Sequence, residues 1–253
     1  MSPAIPDSTD GPDGPESSRR VANIRARLSA LGRPDVRIIA VSKTHGPERI
    51  SEMLAAGIRD FGENRQNEAR DKFPLVSLAG LPPDARPIYH HIGPLQSGSA
   101  RGMPGLFQYV HGVSALGAGS PLETLMKAAE RKLQGPDESI TYLIQVRLTD
   151  EKTKAGGMAA AEIQNLNIFP GNERVRFGGF MTMGPENQDP VQTREVFHEL
   201  RELRNRIAPG AELSMGMSGD WELAVAEGAT MIRIGTALFG SRGPGPWAAQ
   251  PNT

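Results

Sequence analysis

The sequence predicts a (β/α)8 TIM barrel built as one domain, on three observations. Eight windows of strand character recur along the 253 residues, helical windows lie between most of them, and no linker or repeat divides the chain. A strand followed by a helix and another strand implies parallel pairing, because a parallel neighbour is reached only through a crossover. An open doubly wound sheet is the alternative arrangement of the same elements.

Residues 1–17, rich in Pro, Gly, Ser and Asp, lack apolar periodicity and are expected to form a disordered tail. The barrel is expected over 18–242. It begins with a helix on VANIRARLSAL, stopped by Gly32 and Pro34. The strand windows are RIIAVSK (37–43), IRDFGE (58–63), PIYHHIG (87–93), FQYVHGV (107–113), TYLIQVRL (141–148), VRFGGFMTM (175–183), ELSMGM (212–217) and MIRIGTALF (231–239). Helical windows with an apolar stripe are PERISEMLAAG, SPLETLMKAAERKLQ, DPVQTREVFHELRELRNRIA and SGDWELAVAEG. Residues 243–253 read as a C-terminal tail, so no second domain is expected after the barrel.

Composition narrows the function. The 28 Lys and Arg balance 29 Asp and Glu, without the basic excess of a nucleic-acid binder. No cysteine is present, which excludes disulfides, thiolate metal sites and cysteine nucleophiles, and fits a reducing cytosol. Neither a signal peptide nor a membrane-spanning run is legible, so a soluble cytoplasmic protein is expected.

In a barrel of this type chemistry sits at the C-terminal ends of the strands. The first strand alternates Ile39, Val41 and Lys43 on one side with Ile38, Ala40 and Ser42 on the other. If the Lys43 side faces inward, burial favours a neutral, nucleophilic amine of the kind a Schiff-base lysine needs. The plainer reading is that the strand ends there and the ammonium reaches water. In the last strand, Ile232 and Ile234 on the helix side would turn Arg233 inward. A guanidinium there needs an acceptor, either an internal carboxylate such as Glu63 or a ligand.

Two stretches could hold an anion. In SMGMSGDWE, Ser218 or Asp220 could cap a helix whose first N–H groups point outward; in RIGTALFG, Gly235 permits close backbone approach beside the Thr236 hydroxyl. Both follow the last two strands, where barrels frequently bind phosphate, although each alone could be an ordinary turn. His90 and His91 are adjacent in a strand and face opposite ways, and no metal-ligand spacing occurs. GMSGD lacks the spacing of a nucleophile elbow, and the glycines between Gly112 and Gly119 match no nucleotide loop. The methionines at 181–183 and 215–217 read as core filling.

Taken in order, AVSKT, FGENRQNE, YHHIGPLQ, GGFMTMG and LSMGMSGDWELAVAEGATMIRIGTALFG resemble the pyridoxal-phosphate homeostasis protein family from about residue 36 to residue 242. The resemblance implies a barrel similar to that of alanine racemases, binding pyridoxal 5'-phosphate. It implies that Lys43 carries the cofactor as a Schiff base and that Met217, Ser218, Gly235 and Thr236 hold the phosphate. Arg233 would face the pyridine nitrogen, with Asn64 and Met181 near the ring. The chain departs from the family at HHIGPLQSGSA, where His91 replaces an aromatic residue and Gly98 and Ser99 replace an Asn-Lys pair.

An arginine opposite the pyridine nitrogen disfavours its protonation and makes the ring a weaker electron sink. Racemases add an acid/base from a C-terminal β-domain, whereas here eleven residues follow Arg242. The expectation is a non-catalytic monomer that stores, buffers or delivers the cofactor, with apoenzymes that require it as candidate partners. Two alternatives remain: an amino-acid racemase or decarboxylase with a second base such as Tyr142, and a Schiff-base aldolase acting on a phosphosugar without the cofactor.

Overall fold

The computed structural model describes residues 16–82, 85–149, 156–166 and 168–240. The tails expected at 1–17 and 243–253 fall almost wholly outside them. Helix α1 (Glu16–Ala30) starts two residues before the expected Ser18 and buries Ser17, Val21, Ile24 and Leu28. These lie at helical spacing on one stripe, and each buried aliphatic side chain contributes about 1.5–3 kcal/mol.

Among the described residues nine strands follow: β1 (Arg37–Val41), β2 (Asp60–Glu63), β3 (Ile88–Pro94), β4 (Tyr109–Val113), β5 (Ile140–Arg147), β6 (Met158–Ala159), β7 (Val175–Met181), β8 (Glu212–Ser214) and β9 (Met231–Ile234). Eight of them close a parallel barrel in the order β1-β2-β3-β4-β5-β7-β8-β9, with β9 returning to β1 and β4 joined to β5. The two-residue β6 pairs with the end of β5. The barrel, not the open sheet, is the fold.

The helices are α2 (Pro47–Ala55), α3 (Gln66–Lys72), α4 (Ser97–Ala100), α5 (Pro121–Lys132), α6 (Ala160–Ile163), α7 (Pro190–Ile207), α8 (Trp221–Ala226) and α9 (Thr236–Phe239). Two of them begin on a capped turn with proline behind it: Ser120 Oγ accepts from Glu123 N, and Asp189 Oδ1 from Gln192 N. The window read as one strand over 231–239 breaks at Gly235. Its second half forms α9, because Leu238 and Phe239 N–H both turn back to Gly235 O. Likewise β1 ends at Val41, so Lys43 sits in the turn beyond the strand rather than within it.

The strand alternation divides the core in two. Ile38, Ala40, Ile232 and Ile234 join the helices in one continuous apolar cluster. Ile39 faces the barrel interior, where it lies against Gly62, as does Ile92. Arg233 is the register partner of Ile39 on the neighbouring strand, which turns it inward as its alternation predicts.

Candidate functional site

The eight predicted site residues gather on one rim. Around the barrel the strands run β2, β1, β9, β8, β7. Asn64 follows β2, Lys43 follows β1, Arg233 lies near the end of β9 with Gly235 and Thr236 just beyond it, Met217 and Ser218 follow β8, and Met181 ends β7. All lie at C-terminal strand ends. Lys43 is half-buried, Met181 and Arg233 are buried, and Asn64, Met217, Ser218 and Thr236 are exposed. Met217 is 40% exposed, so it is not the core filler its composition suggested, whereas Met181 and Met215 are buried.

Short-range geometry ties these pieces together. A Cβ placed on Gly235 would sit 3.7 Å from Val41 Cβ, so the turn into α9 lies directly over the end of β1. Gly235 N–H donates to Ser218 Oγ at 3.3 Å, joining the β8 and β9 loops. Gly216 has φ +91, and a Cβ there would fall 2.6 Å from Ala224 Cβ and 2.9 Å from Trp221 Cα, so only glycine lets the β8 loop pass this close to α8.

One anion cradle changes on inspection. Asp220 stands at the N-cap of α8, but its Oδ1 accepts from Met217 N–H at 2.6 Å, so this donor is already satisfied. A neighbouring cavity of about 250 Å³ is lined by Glu186 and Asp220 among others, which repels phosphate. The start of α9 is the better cradle, since its first N–H groups have no acceptor inside the helix and the Thr236 hydroxyl is exposed beside them.

Arg233 is not paired with Glu63. Its guanidinium donates to Ser214 O and Ser214 Oγ, both at 2.7 Å, and to Thr182 O at 2.9 Å. Glu63 points the other way, toward Lys72, because the inward position of β2 is taken by Gly62. Burial lowers the Arg233 pKa to about 10, with Asp220 opposing that shift, so the group stays cationic at neutral pH.

Beyond Arg233 a hydrogen-bonded line crosses the barrel interior. Ser214 Oγ meets His111 Nδ1 at 2.9 Å, His111 Nε2 meets His90 Nδ1 at 2.9 Å, and His90 Nε2 meets Asp60 Oδ1 at 2.9 Å. With both imidazoles neutral, as burial favours by lowering the pKa of each, the carboxylate at one end sets the direction of every bond along the line. His90 donates to Asp60, His111 to His90, Ser214 to His111, and Arg233 to Ser214. Each neutral imidazole then carries its proton on Nε2. Sequence reasoning missed this line, although the alternation of β4 already placed Tyr109 and His111 on one face.

Tyr142 does not enter the barrel. It is buried among the helix-facing residues, with its ring edge-on to Phe177 and its hydroxyl donating to Pro170 O. Desolvation raises its pKa further, so it is not a base of this site. His90 and His91 diverge as expected. The His91 ring packs edge-on against Phe107 at 5.4 Å, filling an aromatic position, and burial lowers its pKa to about 4. Gly98 and Ser99 lie in α4, where Ser99 Oγ donates back to Gln96 O.

Comparison with known proteins adds an independent line. Residues 18–243 match the family model described as alanine racemase, N-terminal domain. The pyridoxal phosphate homeostasis protein of Synechocystis is 35% identical over 225 residues, spanning 87% of this chain and 98% of that protein. The protein of that name from Pseudomonas aeruginosa is 36% identical, spanning 87% of this chain and 92% of its own. Among solved structures, PipY of Synechococcus elongatus with PLP bound superposes at a TM-score of 0.73 and 35% identity, covering 89% of this chain and all of PipY.

Proposed function

The chain belongs to the pyridoxal phosphate homeostasis protein family, and from that premise we propose that it binds pyridoxal 5'-phosphate on this rim and buffers, stores or delivers it without turning over amino acids. The observation that carries the reading is the convergence of a half-buried lysine, a helix start with a hydroxyl beside it, and an inward arginine on adjacent strand ends. The donor set fits this cofactor. When bound, it supplies an aldehyde carbon for an amine, a phosphate for N–H and O–H donors, and a ring whose electron demand depends on its nitrogen.

Lys43 is the amine that bonds the aldehyde carbon. Thr236 and Ser218 hold the phosphate beside Gly235, whose N–H donates to Ser218 Oγ and whose missing side chain leaves room for close approach, with the Met217 backbone supporting the loop through Asp220. Asn64 and Met181 flank the ring. Arg233 faces the ring nitrogen as a fixed cation and keeps it unprotonated, since two positive charges would otherwise meet. That weakens the electron sink and favours a carrier over a catalyst. A cytoplasmic monomer serving apoenzymes that require the cofactor is the cellular form of this proposal.

The test is a titration with pyridoxal phosphate followed by visible absorbance, on the wild type and on Lys43→Ala, and then incubation of the loaded protein with amino acids. Uptake by the wild type alone, without racemised or decarboxylated product, is expected. No uptake overturns the binding role, and repeated turnover overturns the carrier role.

A further inference from the structure

We infer that Lys72, Glu63 and Glu68 form a clamp that positions Lys43 by gripping the peptide groups on either side of it, an inference that rests on the proposed role of Lys43. Lys72 ends α3 and is wholly buried, a state lysine almost never reaches without partners. Its ammonium donates to Glu63 Oε1 at 2.7 Å, to Glu68 Oε1 at 2.8 Å and to Ser42 O at 2.9 Å. Those bonds match the three donors of an ammonium.

The far ends of these bonds fall on the two neighbours of Lys43. Ser42 is held four times: its N–H reaches Gly62 O at 3.0 Å, its carbonyl accepts from Lys72 and from His45 N–H, and its hydroxyl donates to Glu63 Oε1 at 2.7 Å. Thr44 N–H donates to Glu68 Oε1 at 2.6 Å. Thr44 also has φ +68, a left-handed backbone that a β-branched residue adopts only under constraint. With Ser42 and Thr44 both pinned, the direction in which the Lys43 side chain leaves the backbone is set.

Stability alone does not account for the cluster. A buried ion pair is often matched or bettered by apolar residues of the same volume. Here Glu63 Oε2 is buried with no hydrogen-bond partner among the described residues, and burial raises the Glu63 pKa to about 7 against the opposing pull of Lys72. Glu63 lies on the helix side of β2, behind the rim, so these are positioning residues. Their sequence signal was weak, because α3 carries no apolar stripe beyond Ala69.

The test uses Glu68→Ala, which removes the acceptor for Thr44 N–H at a position near the surface, and Glu68→Gln, which keeps an oxygen there. The readouts are the rate of pyridoxal phosphate uptake and the melting temperature. Glu68→Ala is expected to slow uptake about tenfold or more, by misplacing the amine, and Glu68→Gln to restore a rate near wild type. Should Glu68→Ala not fold, Ser42→Ala, which deletes one hydroxyl of the clamp, is measured instead and is expected to slow uptake in the same direction. A lowered melting temperature with an unchanged uptake rate would make the cluster purely structural and overturn the inference. Absence of uptake by the wild type would instead overturn the reading of Lys43 on which it rests.

Discussion

Ser214→Ala tests the internal line with a minimal change. The residue is fully buried, so the substitution deletes one oxygen without opening a large cavity. Arg233 loses one of its two bonds to Ser214 but keeps the one to Ser214 O, while His111 Nδ1 loses its only donor on the line. A hydrogen bond to a charged group contributes about 1.5–3 kcal/mol, and an unsatisfied buried acceptor costs about 1–3 kcal/mol. These overlap in part, giving a loss of about 3 kcal/mol, or a fall in melting temperature of about 6–12 °C for a domain of this size. Urea unfolding gives the free energy, and nitrogen NMR of the imidazoles reports which ring atom holds the proton. A loss below about 0.5 kcal/mol, or histidines protonated on Nδ1 in the wild type, would refute the donor order derived for Asp60, His90, His111 and Ser214.

Stability should fall on acidification below about pH 6.5, where unfolded imidazoles take up protons that buried His90, His91 and His111 refuse, each contributing up to about 1.4 kcal/mol per pH unit. Glu63 opposes this: burial raises its pKa to about 7, so the folded state keeps a proton that the unfolded chain releases near ~4.3, and acid stabilises that group. Urea midpoints should therefore drop more steeply with acid in Glu63→Gln than in wild type, and equal slopes would contradict the assignment. Thr236→Val should weaken pyridoxal phosphate binding about tenfold to a hundredfold through loss of one bond to an anion, read by equilibrium titration. Tyr142→Phe should cost about 1 kcal/mol of stability through its bond to Pro170 and leave cofactor uptake unchanged; altered uptake would restore it to the site.

The strand windows of the sequence carried the barrel, and strand alternation carried the inward turn of Arg233, because Ile232 and Ile234 flank it without ambiguity. The partner of Arg233 was not legible. DFGE offers no alternation of apolar and polar residues, so nothing in it told that Gly62 faces in and Glu63 out. The acceptors it does use, Ser214 at the end of β8 and Thr182 just past the end of β7, become its neighbours only on barrel closure. The helix of RIGTALFG hid inside an apolar run whose break depends on the backbone at Gly235. The clamp on Lys43 escaped for a related reason: Lys72 and Glu68 read as solvated charges in a short polar helix until α3 packs against the end of β1.

The most direct measurement of the central claim is borohydride reduction of the protein loaded with pyridoxal phosphate, followed by peptide mapping. The account predicts one phosphopyridoxyl group, on the peptide containing Lys43, and none after Lys43→Ala. Label on another lysine, or none on the wild type, would contradict it.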